Sequence, residues 1–170
     1  ISPRRLFSKY CLVLMFTVIA MLVSSCQKEN HPKKTVPFKA KFETVEGPFS
    51  DTEDQITGTG FGTPIGKSTF VAFSNFVNFP LLKGTTTFTA ANGDQIFSTF
   101  SGSAVGPDND TIRVTNNNII TGGTGRFAGA TGSFTAHGIA NINFPAGTVT
   151  FDGTIILDEC HGKQGYTNNL

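Results

Sequence analysis

Thr85-Thr86-Thr87-Phe88-Thr89-Ala90-Ala91-Asn92-Gly93-Asp94-Gln95-Ile96-Phe97-Ser98-Thr99-Phe100 consists of two runs of β-branched and aromatic residues held apart by turn residues. Thr, Phe and Ile suit a pleated, half-buried surface, and Asn-Gly between such runs favours the positive φ angles of a tight hairpin. The stretch predicts strands over 85–90 and 95–105 with Ala91-Asn92-Gly93-Asp94 as their turn.

Outward from this hairpin the same alternation predicts six more strands, over 36–45, 56–61, 67–77, 111–121, 132–143 and 148–157. In the first, Phe38, Ala40 and Phe42 share one face and Lys39, Lys41 and Glu43 the other, the pattern of a half-buried strand. In the third, Phe70, Val71, Phe73 and Phe76 occupy both faces, which predicts a bulge or burial on both sides. In the last two, Phe134, Ala136, Ala140, Ile142 and Phe144, then Val149, Phe151, Ile155 and Leu157, each line one face. Thr135, His137, Asn141, Thr150 and Asp152 point the other way, which places His137 outside.

The composition agrees with an all-β chain: 17 Phe and 19 Gly, no Trp, and no long helix-forming runs. Eight consecutive antiparallel strands expose two edges unless the sheet closes, and closure at eight leaves room for packed side chains or one small ligand. The expected fold is an eight-stranded antiparallel up-and-down, calycin-like barrel, with a seven- or eight-stranded sandwich as the alternative. If the interior holds a cavity, Phe38, Phe42, Phe134 and Phe151 are its candidate lining.

The N-terminus carries a different signal. Arg4, Arg5 and Lys9 precede an apolar run from Tyr10 to Val23 that ends at Val23-Ser24-Ser25-Cys26. The run is too short to span a bilayer comfortably, and a basic flank, an apolar segment and small residues are the order of a cleaved export signal. It resembles the lipobox of bacterial lipoproteins, with Val23 where Leu is commonest and Cys26 as the lipidated thiol. Arg4-Arg5 also fits a twin-arginine signal, although the strongly apolar segment favours the general secretory route. The expected organisation is a signal peptide over 1–25, a polar lipidated tether over 26–35, a barrel over 36–160 and a tail over 161–170. Gln27, in place of Asp, points to the outer membrane of a Gram-negative envelope, and the expected membrane contact is the lipid on Cys26. Lys28-Glu29 faintly resembles the charged tags of surface-displayed lipoproteins.

Removing Arg4, Arg5 and Lys9 with the signal leaves ten basic residues against twelve acidic ones, so the mature chain offers no electrostatic case for nucleic acid. Cys11 leaves with the signal and Cys26 is lipidated, so Cys160 has no intramolecular partner and the fold must hold without a disulfide.

The run Ile120-Thr121-Gly122-Gly123-Thr124-Gly125-Arg126-Phe127-Ala128-Gly129-Ala130-Thr131-Gly132 resembles the Gly-Gly-Thr-Gly-x-Phe segment of dirigent proteins and their allene oxide cyclase relatives. Gly58-Thr59-Gly60-Phe61 and Phe151-Asp152-Gly153-Thr154-Ile155 are similar to segments of small secreted bacterial proteins with that barrel. The resemblance spans about residues 36–157 and implies an eight-stranded barrel. The family's enzymes use acidic and basic residues at the barrel mouth, and none of those matches a position here, so no catalytic residue is assigned. Gly122, Gly123, Gly125, Gly129 and Phe127 read as structural: glycines for a sharp bend, and one large apolar group to pin it to the core.

Other motifs carry less. Gly62-Thr63-Pro64-Ile65-Gly66-Lys67-Ser68 is one residue short of a phosphate loop and leads into a strand. Gly123-Thr124-Gly125-Arg126-Phe127-Ala128 fits a dinucleotide fingerprint but lacks its βαβ context. Cys160 and His161 diverge on an extended chain. Asp108-Asn109-Asp110 and Asp51, Glu53 and Asp54 read as solvated turns without a full calcium loop. No metal or cofactor is expected.

Three functions follow: a lipid-anchored binding barrel for a small apolar ligand or a partner, a cyclase- or isomerase-like enzyme, or a structural or adhesive envelope protein, with homo-oligomers open to each. A cavity favours the first two, and an ionisable group inside it favours the second.

Overall fold

A computed structural model describes residues 32–47, 50, 52–76, 78–141 and 143–158. Cys26, Cys160, His161 and Ile142 lie outside the described residues, as does the apolar N-terminal run. Eight strands follow one another: β1 (Lys33–Glu46), β2 (Glu53–Thr63), β3 (Gly66–Asn75), β4 (Leu81–Ala90), β5 (Gln95–Asp108), β6 (Thr111–Gly123), β7 (Thr131–Asn141) and β8 (Phe144–Asp158). Each pairs antiparallel with the next, and β8 closes on β1 from Lys33↔Asp158 to Val45↔Ala146, so the sheet is a closed up-and-down barrel. The sandwich alternative is excluded by that closure. β1 starts three residues before the expected Val36 because Lys33, Lys34 and Thr35 already pair with β8.

The alternation places Phe38, Ala40 and Phe42 inside and Lys39, Lys41 and Glu43 outside. β3 departs from expectation. Its ladders to β2 and β4 run without a register shift, and Phe73 is 56% exposed, so it is a regular strand with an apolar outer residue. The hairpin between β4 and β5 also differs in detail. Ala90 N–H bonds Asp94 O at 2.8 Å, and Gly93 N–H bonds Ala90 O at 2.9 Å. Positive φ falls on Gly93 alone (+89°), and Asn92 uses its side chain instead, donating to Asp94 Oδ2 at 2.8 Å. That is a three-residue loop with Gly in the left-handed position. The two-residue turn with positive φ on both residues lies at Asn109 (+47°) and Asp110 (+63°), between β5 and β6.

The barrel has two unlike ends. At the base lie the β2–β3, β4–β5 and β6–β7 connections, together with the start of β1 and the end of β8. The base half is packed solid with phenylalanine. Phe38 and Phe134 stack at 4.6 Å, Phe88 meets Phe151 edge-on at 5.0 Å, and Phe42 meets Phe70 edge-on at 5.1 Å. Such pairs contribute about 0.5–1.5 kcal/mol each beyond burial. Room for the rings comes from inward glycines on neighbouring strands: a Cβ on Gly58 would strike the Phe70 ring, and one on Gly60 would strike Phe42. Bulky and bare positions facing each other are how a narrow barrel fills its interior.

The glycine run closes the base. After β6 the chain turns through Thr124 into a single 3-10 turn, Gly125–Phe127, and Phe127 is wholly buried. Thr124 N–H donates to Gln95 O at 2.8 Å, and Thr124 Oγ1 accepts from Gln95 N–H at 3.0 Å. Arg126 lies over the Phe127 ring at 4.7 Å and donates through Nη2 to Ile65 O at 2.8 Å. Its backbone N–H donates to Asp94 Oδ2 at 3.3 Å. One residue thus ties all three base connections together. Gly125 has φ +56°, which favours glycine, and a side chain there would also displace the Asp94 carboxylate from its contact with Arg126 N–H. Gly62–Ser68 forms the β2–β3 turn with Ile65 buried beneath it, and no helix follows.

Candidate functional site

Above the phenylalanine layer the interior changes character. The mouth half encloses a cavity of about 280 Å³. Phe70, Phe100 and Phe151 form its floor. Ala72, Leu82, Ala104, Ile112, Val114, Ala136 and Val149 form its walls, and Phe76 and Phe79 of the β3–β4 connection stand at its rim. Of the four phenylalanines read as candidate lining, Phe151 borders the cavity. Phe38, Phe42 and Phe134 are outside the lining and lie ring against ring: Phe38 stacks on Phe134, and Phe42 meets the floor rings Phe70 and Phe151 edge-on. His137 is on the outer face, 3.4 Å from Thr115 Oγ1.

Polar groups enter this apolar space at a few positions. On β1 the inward face continues past Phe42 to Thr44, which is buried, and then to Glu46 at the rim. On β2 the inward face starts at Asp54 and continues to Ile56. Glu46 pairs directly with Ile56, so Asp54 is its diagonal neighbour on the same face, a spacing of about 7–8 Å between backbones. Asp54 also lies opposite the buried Ser74 of β3. Asp54 is therefore a strand residue facing inward, not part of a solvated turn.

Burial pushes the Glu46 carboxyl above its ordinary range, and the neighbouring Asp54 charge pushes it further. Burial raises Asp54 as well, partly offset by a hydrogen bond from the Gln55 backbone N–H. Asp54 Oδ1 is buried without a protein hydrogen-bond partner. Desolvation favours the neutral carboxyl, and a like charge nearby acts in the same direction.

The opposite wall carries a second polar set on β6. Asn118 is 2% exposed, accepts from Ser98 Oγ at 3.3 Å and donates to Asn116 O at 3.3 Å. Asn116 Oδ1 is buried with no protein partner, and Gly102 across the ladder leaves it space: a Cβ there would collide with it. Among the described residues the lining holds no lysine, arginine or histidine. Among the described residues no three metal-ligating side chains come together.

No known family profile matches the sequence, and no curated protein matches it. Among solved structures, the pterocarpan synthase dirigent protein GePTS1 superposes with a TM-score of 0.52 at 14% identity, over 81% of this chain and 91% of that one. The fold is dirigent-like. At that identity the likeness concerns the barrel alone.

Glu46, Asp54 and Asn116 are the site residues that sequence reading missed. The signal was present in the alternation: counting inward positions two at a time from Phe42 reaches Glu46, and counting back from Ile56 reaches Asp54.

Proposed function

We propose that this dirigent-like chain is a lipid-anchored envelope protein whose barrel binds a compact, largely apolar molecule in the mouth cavity. The observation that carries the reading is a phenylalanine-floored cavity of about 280 Å³ whose few polar groups gather at defined points, the usual make-up of a small-molecule site. A cavity of about 150 Å³ holds one benzene, so the space suits a molecule of about two rings. The anchor is supported by the order of residues ending at Cys26. β1 begins at the base, at the other end from the mouth.

A second reading, a cyclase- or isomerase-like enzyme, is favoured by Glu46 and Asp54. A carboxyl whose proton affinity burial raises, standing beside an apolar cavity, can pass a proton to a bound molecule. The binding reading is tested by calorimetric titration with indole, a neutral bicycle of matching size. Saturable one-to-one binding is expected, abolished by Ala72→Phe, which puts a ring into the cavity while the melting temperature stays within a few degrees. Absence of saturable binding, or equal binding to the filled variant, overturns it.

A further inference from the structure

Resting on that binding reading, we infer that the cavity selects an organic cation: a bicyclic-sized aromatic or aliphatic body on the phenylalanine floor, with a primary ammonium between Glu46 and Asp54. Charge is the first argument. Among the described residues the two carboxylates are the ionisable groups of the lining, both come from the β1–β2 side of the rim, and no described lining position of the other six strands brings a cation to face them. The exposed Arg113 at this end is directed to Asp108 at 3.9 Å, outside the barrel. Two half-buried anions held on one ladder repel each other, and a bound ammonium relieves that repulsion while giving Asp54 Oδ1 the donor that the protein does not supply.

The second argument separates an organic cation from a metal ion. Calcium asks for six to eight oxygens and magnesium for an octahedral set, whereas the inner-face neighbours of the two carboxylates, Thr44, Ile56 and Ser74, add two hydroxyls, and among the described residues no third carboxylate or imidazole joins them. Aromatic faces attract ammonium groups, and apolar walls receive the body attached to one. The Asn116 amide across the cavity, its Oδ1 buried and without a protein partner, offers a further polar contact to the far end of such a ligand.

The test uses tryptamine and its neutral alcohol counterpart tryptophol, titrated calorimetrically into the full chain at pH 7.5 in low and high salt. Tryptamine is expected to bind at least about tenfold more tightly than tryptophol at low salt, with the preference shrinking at high salt. In E46Q/D54N, and to a lesser degree in each single variant, the ratio should collapse towards one. Melting temperatures check that the isosteric variants are folded, and the salt arm stands even if one is not. Equal affinity for the two probes overturns the cation inference and leaves the binding reading intact. Binding of neither overturns both. A preference that survives E46Q/D54N places the selectivity elsewhere and refutes the assignment to these carboxylates.

Discussion

Phe127→Ala probes whether the glycine run is a structural plug. The side chain is wholly buried at the base, beside Ile65 and Ala130 in the core, with Arg126 over its ring. A buried Phe→Ala change costs about 3–5 kcal/mol through lost transfer energy and an unfilled cavity. Loss of the Arg126 stacking adds about 0.5 kcal/mol, held low because that side chain is 44% exposed. For a domain of this size each kcal/mol moves the melting temperature by about 3–5 °C, so a drop of about 10–28 °C is expected by circular dichroism. Phe127→Leu, which keeps most of the volume, should lose less than about 1.5 kcal/mol. Indole affinity in the surviving folded fraction should not change, because Phe127 is at the end opposite the cavity. If Phe127→Ala keeps its melting temperature, or loses indole binding without losing stability, the plug argument is wrong and the run is a functional loop.

Two other outcomes follow. The carboxyls of Glu46 and Asp54 are raised in the folded chain, so between their ordinary values near 4 and their raised ones the native state holds more protons than the unfolded state. Stability must then fall as pH rises through that window, with the penalty fully present above the raised values; D54N and E46Q should each raise the melting temperature at pH 7 by a few degrees and flatten its pH dependence, and a loss of stability at pH 7 would contradict the assignment. Cys26→Ser should abolish labelling by a palmitate analogue and leave the precursor uncleaved, and undiminished label would remove the lipid anchor from the proposal.

What the sequence made legible, and what it concealed, has a physical pattern. Closure of the barrel was readable because eight alternating runs with short connections leave few other ways to hide two edges. β2 was the least legible strand, since Gly58, Gly60 and Gly62 put nothing apolar on its inner face. Their role emerges only when Phe42, Ala40 and Phe70 are seen filling the space they leave. Phe73 misled for the opposite reason: a large apolar residue suggests burial, yet one exposed at 56% costs a closed barrel little. The division of the interior into a packed base and a hollow mouth was hidden altogether, because it depends on which residues from eight strands reach the same level. Phe38 and Phe134 share one level and Phe151 reaches the next, a consequence of strand tilt and register that no single strand displays.

That division also explains why the polar residues can stay where they are. A carboxylate on an inward strand position is ordinarily a serious cost, and Asp54 without a partner on Oδ1 is a weak point in an otherwise apolar interior. The base compensates. Its edge-on and stacked rings, its glycine-backed close packing and the three connections tied by Arg126 hold the closed sheet together far from the mouth. The mouth half therefore need not be optimised for stability, and a cavity, two carboxyls and a buried amide can persist there. Desolvated polar groups at one end of a fold, with tight packing at the other, form the distribution that the proposed binding reading calls for.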